Sequence, residues 1–432
     1  MRKSSVFQVV VLSTFGALAV VAIIIFAVAV GGTKGANIGA VQIWGTLDAS
    51  AFTVVIRQLS DDESRLKQVT YVQKNQETYE QELVDALASG KGPDLFLMRQ
   101  DYAEKDGEKA TLIPYASFSR EQFQNSFVEA ANPYLSPEGV RAVPLAIDPM
   151  VLYWNRDLLA ASGFSKPPVY WDELFNIANT VTKRDDSNSI QKSAIAFGEY
   201  QNVDHAKDIL GMLILQAGGT ITRRDDAGKL GASLMARAGE AQQPAQDALS
   251  FYTEFANPSK TDYSWNRSLP FSRRMFASGD LALYVGYASE EPLIRKINPN
   301  LNFAIAPMPQ PRTAARSVGG ARVYAFAVPK SSQNQSGALT VAYLLAAQNP
   351  SKLLSLALGI PSARRDVLSA VQSGSEELFR RQALIAASWS DPDPEKTEGI
   401  FRDMIESVTS GSAKLSEATQ RADQAIGQLL SL

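Results

Sequence analysis

The sequence predicts an α/β protein of two lobes, with hinge crossings and a cleft between the lobes, behind an N-terminal transmembrane helix. Three observations carry this expectation. Residues 41–98 alternate strand, helix, strand, helix, strand, the pattern of a largely parallel sheet covered by helices. The apolar stretch VPLAIDPMVLYWNRDLLAASGF, Val143 to Phe164, is interrupted by Asp148-Pro149. The chain has 432 residues and 45% hydrophobic content, which exceeds one compact domain and supplies ample core.

Arg2 and Lys3 precede a run from Val6 to Val30 whose polar interruptions are Gln8, Ser13 and Thr14. About 20 apolar residues span a bilayer, whereas signal-peptide cores are about 7–15 residues long. The run is expected to be an anchor with its basic end in the cytoplasm and the body outside. Ala27-Val28-Ala29 leaves a cleaved signal as the alternative. Gly31 to Asn37 is a short flexible tether.

Val41 to Trp44 reads as a strand, with Trp44 favoured as core. Asp48 can cap the helix that carries Phe52, Val55, Ile56 and Leu59 on one face. A strand near Gln68 to Val72, a helix from about Thr78 to Ala88 and the strand Leu95 to Met98 complete the unit. Ligands bind beyond the carboxyl ends of strands in such sheets, so Thr46, Asp48, Arg99 and Asp101 are candidates for a cleft rim.

In the central stretch Pro149 lacks a backbone donor and Asp148 is biased to extended geometry. The expectation is one strand from Pro144, a break at Asp148-Pro149, and a second strand from Met150 to Trp154. The chain would pass from one lobe to the other there, beside a cleft that closes on a ligand. Further on, Trp171 to Leu174 opens a helix and Ile195 to Phe197 reads as a strand. Gly198 to Asn202 is a polar, aromatic loop before a helix over Asp204 to Ala217. Residues 222–243 form a polar surface excursion before a helix from Pro244 to Ala256. A loop holding Tyr263 and Trp265 leads on to the strand Leu281 to Val285 and Gly286-Tyr287. Phe303 to Ala306 is a strand, Pro307 to Pro311 a second crossing, and Val323 to Val328 a strand. The remainder is helical, with breaks at Pro350, Pro361 and Asp391 to Pro394.

Composition excludes several chemistries. With no cysteine, disulfides, thiol catalysis, zinc–thiolate sites and lipidation at an N-terminal cysteine are out. One histidine, His205, leaves no His-rich metal site, and its place at a helix start gives it a structural or surface role. A formal net charge of -3 with mixed signs argues against nucleic acid. No GxxxxGK[ST] phosphate loop occurs. The acidic run Asp391, Asp393, Glu395 lacks the spacing of a calcium loop and reads as a solvated turn. No cofactor and no metal are expected.

Five pieces in order then carry a resemblance: the strand ending at Trp44; GKGPDLFLM, Gly90 to Met98; VPLAIDPMVLYWNRDLL, Val143 to Leu159, with KPPVYWDEL after it; FASGDLALYVGYAS, Phe276 to Ser289; and VGGARVYAFAVPK, Val318 to Lys330. Together they resemble the family 1 extracellular solute-binding proteins, the maltose- and oligosaccharide-binding receptors of ABC importers, over residues 38–430. The resemblance implies a periplasmic-binding-protein-like fold without enzymatic activity. It implies an oligosaccharide held in the cleft, ABC permease subunits as partners, and a monomeric receptor. The lobes are expected at 38–146 plus 303–347, and at 147–302 plus 348–432, after the anchor and tether of 1–37.

Sugars present hydroxyl arrays and apolar C–H faces, which suit carboxylates, amides, guanidinium groups and aromatic rings. The resemblance aligns Asp148 with a second-lobe acid, and Asp101 and Asp48 with first-lobe acids. The expected ligand-binding set is Thr46, Asp48, Asp101, Asp148, Trp154, Tyr200, Asn202, Tyr263, Trp265, Gly286, Tyr287 and Arg322, with Gly320 beside the last. Two alternatives remain at this level. One is a surface sensor or adhesin on the same fold. The other is a membrane-tethered glycoside hydrolase, which needs two carboxylates about 5–10 Å apart.

Overall fold

A computed structural model describes residues 38–187, 189–237, 243–369 and 374–431. The expected transmembrane helix and tether lie outside the described residues. Among the described residues no helix is long and apolar enough to cross a membrane.

The main sheet has nine strands, numbered here in chain order: β1 Val41–Gly45, β2 Val69–Gln73, β3 Leu95–Arg99, β4 Val143–Asn155, β5 Lys183–Arg184, β6 Ile190–Ile195, β7 Leu281–Tyr287, β8 Phe303–Ala306 and β9 Ala321–Ala327. Their spatial order is β2-β1-β3-β9-β4-β7-β6-β5, with β8 paired to β4. β1 runs parallel to β2 and β3, as the strand–helix alternation predicts, and β9 runs antiparallel to β3 and β4. In the helix Ala49–Ser60 the Asp48 carboxylate accepts the Ala51 N–H at 2.9 Å. Its Phe52 ring stacks on Tyr71 at 3.9 Å between centroids.

Two hydrophobic cores result. The first gathers β1, β2, β3, β9 and residues 143–147 with Phe52, Phe96, Phe123, Tyr134 and Phe326. The second gathers residues 150–153, β6 and β7 with Trp171, Phe197, Tyr252, Trp265 and Phe276, and closes against the C-terminal helices Pro394–Thr409 and Leu415–Leu429. Strand β4 enters both. It pairs with β9 from Val143 to Pro149, then with β7 from Met150 to Trp154 and β8 from Leu152 to Asn155.

The expected break at Asp148-Pro149 does not occur: β4 is one strand of 13 residues. N–H directions alternate along a strand. The Met150 N–H bonds to Gly320 on the β9 edge, and the Ile147 N–H bonds to Pro361 on the opposite edge. Pro149 therefore turns its missing donor toward the second edge, between the segment at 361–363 and the start of β7, where no ladder bond is lost.

The lobe boundaries also move. Phe303, Ala306 and Met308 pack in the second core, because β8 adds to the far half of β4. Leu354, Ile360, Ala363 and Leu368 pack in the first, because residues 361–363 line the near half. The chain crosses at Asp148–Met150, again between β8 and β9, and a third time near 386–391, where Ala386 belongs to the first core and Trp389 packs on the second. The strand expected at Ile195 to Phe197 ends at Ile195, and the excursion at 222–243 contains a small hairpin, Thr222–Arg224 with Leu230–Ala232.

Trp265 is fully buried in the second core, and its indole N–H donates to Asn202 Oδ1 at 3.0 Å. Trp265→Ala is expected to destabilise the protein by about 3–5 kcal/mol, as for other large aromatic deletions. Urea unfolding monitored by circular dichroism measures this.

Candidate functional site

The groove between the lobes is built where β4 changes partners. β7 ends at Tyr287, β9 begins at Ala321, and the helix Ala206–Gln216 directs its first turns toward both. A chamber opens there, lined by Gln100, Asp101, Met150, Lys207, Asp208, Met212, Tyr287, Gly320, Ala387, Trp389 and Asp391 among others. A second, roomier chamber of about 230 Å³ adjoins it and shares Leu215, Ser388 and Trp389 as walls. Gly320 is needed for closeness: a Cβ there would stand 2.6 Å from the Met150 sulfur.

Three carboxylates reach the first chamber, and each has a cation. Asp101 accepts from Arg99 Nε at 2.9 Å and pairs again with the guanidinium terminus. Burial alone would raise its pKa, but the Arg99 charge holds it below the usual carboxylate value. Asp208 accepts from Arg322 at 2.9 Å and from the Tyr287 hydroxyl at 2.7 Å. Against burial, Arg322 and His205 hold it far below its ordinary value. Asp391 lies 2.7 Å from Lys207 Nζ and accepts from the Thr397 hydroxyl at 2.9 Å. Here burial wins, pushing the carboxyl up to about 6 despite Lys207.

Arg322 reaches from the first lobe to Asp208 in the second, with its guanidinium 4.1 Å from the centre of the Tyr287 ring. His205, at φ 64°, stands edge-on to Tyr287 and places Nε2 2.6 Å from Glu290 Oε1. Glu290, buried, is brought down to about 2 by its hydrogen bonds and by His205, against the desolvation that would raise it. His205 thus belongs to the polar layer beneath the groove. Gln100, also buried, accepts the Val323 N–H at 2.7 Å and fixes the end of β3 against β9. The lobes also meet at the rim, where Lys105 lies 2.8 Å from Glu395 and Glu104 pairs with Arg224.

Of the expected ligand-binding residues, the structure brings Asp101, Tyr287 and Arg322 together at this groove. Asp148 lies behind it, 3% exposed, accepting the Ser289 N–H at 3.0 Å and hydroxyl at 2.5 Å opposite Arg322 in the ladder. Thr46 and Asp48 line neither chamber, and Asp48 caps its helix. The rest of the set sits in the packing of the second lobe. Trp154 lies in β4 between Leu283 and Ala304 with Arg156 over its ring. Tyr200 packs on the second core. Asn202 donates to the Asn266 and Leu269 carbonyls and so ties down the loop that holds Trp265. Tyr263 is 8% exposed, under the Arg184 guanidinium. Gly286 is a strand residue whose Cβ would strike the Tyr284 ring at 2.5 Å. Trp154 and Gly286 are strand residues, placed by the alternation of the strand, whereas Tyr200, Asn202, Tyr263 and Trp265 are loop residues drawn into or against the second core.

Lys207, Asp208, Trp389 and Asp391 were not among the expected residues. The acidic run read as a solvated turn instead buries Asp391 in the groove, 1% exposed. Two signals pointed there: Pro392 and Pro394 stop the chain beside Trp389, and Lys207-Asp208 are charges at the head of the otherwise apolar helix DILGMLILQ.

Burial pushes the Asp148 carboxyl from 3.8 up to about 6, despite the Ser289 hydrogen bonds and Arg322. The folded chain therefore holds a proton that the unfolded chain has released between pH 4 and 6. Stability falls as pH rises through that window. Asp148→Asn is expected to remove its share of this slope and leave that of Asp391, gaining up to about 3 kcal/mol at pH 7 relative to its effect at pH 4. Thermal unfolding of both proteins across that range measures it.

Comparison with known proteins agrees with this architecture. The sequence matches the family described as Bacterial extracellular solute-binding protein over residues 66–379. A maltotriose-binding protein of Pyrococcus abyssi is 25% identical over 137 residues, 32% of this chain and 29% of that protein. The curated relatives are thus matched over only 23–29% of their length. Among solved structures, a cyclic α-maltosyl-1,6-maltose-binding protein from Arthrobacter globiformis aligns with TM-score 0.74 at 14% identity, covering 91% of this chain and 99% of that one. The sugar-binding protein MalE from Xanthomonas citri aligns with TM-score 0.72 at 18% identity, covering 91% and 98%. The fold is the two-lobed fold of these proteins, and the chain belongs to the bacterial extracellular solute-binding protein family.

Proposed function

We propose that this protein is the extracytoplasmic receptor of an ABC importer and captures an oligosaccharide between its lobes. The observation that carries this reading is the groove itself. It holds aromatic faces from Tyr287 and Trp389, apolar Met150 and Met212, and carboxylates fixed by cations. That combination suits a polyol: rings stack on the aromatic faces, and ordered acceptors take hydroxyl protons. Each carboxylate is neutralised by its partner, so the first chamber is matched to an uncharged ring. Sugar ligands in the names of similar proteins favour the same class.

In this reading Asp101, Asp208 and Asp391 accept from sugar hydroxyls and Trp389 carries a ring face, while Lys207, whose ammonium faces Asp391, Thr397 and the Pro394 carbonyl, holds Asp391 in place. The Trp389 indole N–H has no hydrogen-bond partner among the described residues and is available to the ligand. Closure turns the lobes about β4 and the other two crossings. The Arg322–Asp208 and Lys105–Glu395 pairs then belong to the closed form. The hydrophobic N-terminal run tethers the receptor beside its permease partner, and the importer's ATPase supplies the energy. Capture proceeds without chemical turnover of the sugar.

Calorimetric titration of the full-length chain, held in a non-glycosidic detergent, against a panel of mono- and oligosaccharides tests the reading. A micromolar dissociation constant, near -8 kcal/mol, is expected for at least one saccharide. Trp389→Ala is expected to weaken it tenfold or more. Silence across the panel, or release of reducing sugar on incubation, overturns the proposal.

A further inference from the structure

The two chambers differ in charge. The first pairs every carboxylate with a cation. The second is lined by Arg120, Arg223 and Arg224, and among the described residues no carboxylate lines it. Glu104 is the carboxylate that meets this cluster, and it is shared between Arg224 and Arg141, the latter at 2.9 Å. Arg120 donates to the Ser136 carbonyl at 3.0 Å and lies over the Tyr115 ring, contacts that aim its guanidinium without neutralising it. Arg223 has neither an acid nor a hydrogen-bond partner for its side chain among the described residues. The Asn132 amide on the opposite wall is also without a side-chain partner among them.

The positive charge is set between the lobes. Arg120 and Asn132 come from the first lobe, Arg223 and Arg224 from the hairpin of the second, and Trp389 stands between this chamber and the other. A guanidinium fork matches the two oxygens of a carboxylate or phosphate. A groove with one neutralised chamber and one cationic chamber on either side of an indole suits a ligand of matching asymmetry.

Resting on the saccharide reading above, we infer that the ligand is an anionic saccharide. Its uncharged ring occupies the first chamber, and a carboxylate or phosphate group on the neighbouring unit occupies the second, held by Arg120 and Arg223. The neutral chamber alone would accept any sugar of suitable size, so the arginines supply discrimination.

The test is calorimetry on the full-length chain with matched pairs: trigalacturonate against galactotriose, and maltose 6′-phosphate against maltose. The expected result is that the acidic member of at least one pair binds tenfold or more tightly than its neutral counterpart. Which pair shows the preference separates a carboxylate from a phosphate. Arg223→Ala combined with Arg120→Ala is expected to reduce that ratio to near one, and Arg223→Lys to recover part of it. Both sites are exposed, so folding is checked by the thermal transition of each variant. Equal affinity for both members of each pair, or a ratio unchanged in the double variant, overturns the inference while leaving the saccharide reading intact. Absence of binding to all four, together with silence across the neutral panel, overturns both.

Discussion

The rest of the structure depends on the partner change along β4. Residues 143–149 hydrogen-bond into one sheet half and residues 150–155 into the other, so one continuous backbone belongs to two cores. A strand can be shared this way only if its ladder bonds are complete on each side of the changeover. Pro149 sits where its missing N–H costs no ladder bond, in the gap between 361–363 and β7. The mechanical consequence is local. The lobes are joined by a strand that is stiff within each half and has fewest bonds at its middle, with two further crossings beside it.

Burial of charge is the second constraint. The groove contains Asp101, Asp208, Asp391 and the buried Asp148, and ionised groups there are stable only when paired or well hydrogen-bonded. The solutions differ. Arg99 and Arg322 overcome desolvation and keep Asp101 and Asp208 ionised, while the single Lys207 leaves Asp391 raised to about 6. Asp148 has two hydrogen bonds from Ser289 and a more distant Arg322, and burial dominates. The acids on the groove wall are thus held in fixed geometry by their partners before any ligand arrives. A preorganised acceptor loses little freedom on binding.

The asymmetry between the chambers has the same origin. Cations in the first chamber are matched because their side chains are enclosed with carboxylates. Arginines in the second stand at a solvated rim, where an unpaired guanidinium is tolerated because water screens it. A rim of that kind carries charge available to a ligand.

Local pattern alone determined the strand–helix alternation of the first lobe, the Asp48 cap, the helices at Glu173, Ala206 and Pro244, and the significance of the stretch around Asp148. These follow from periodicity and backbone chemistry, which act over a few residues. Five short pieces in order also pointed to the family. What tertiary structure decided was which side chains share the groove. Trp265 and Asn202 had the right chemistry for a sugar site but turned inward, and Trp154 packs against the second core away from both chambers, because face selection on a strand or loop depends on what packs against it. Lys207 is far in the chain from Trp389 and Asp391 and meets them only because three crossings bring the C-terminal segment back between the lobes. Proximity of that kind is a long-range property of the fold, and no local pattern encodes it.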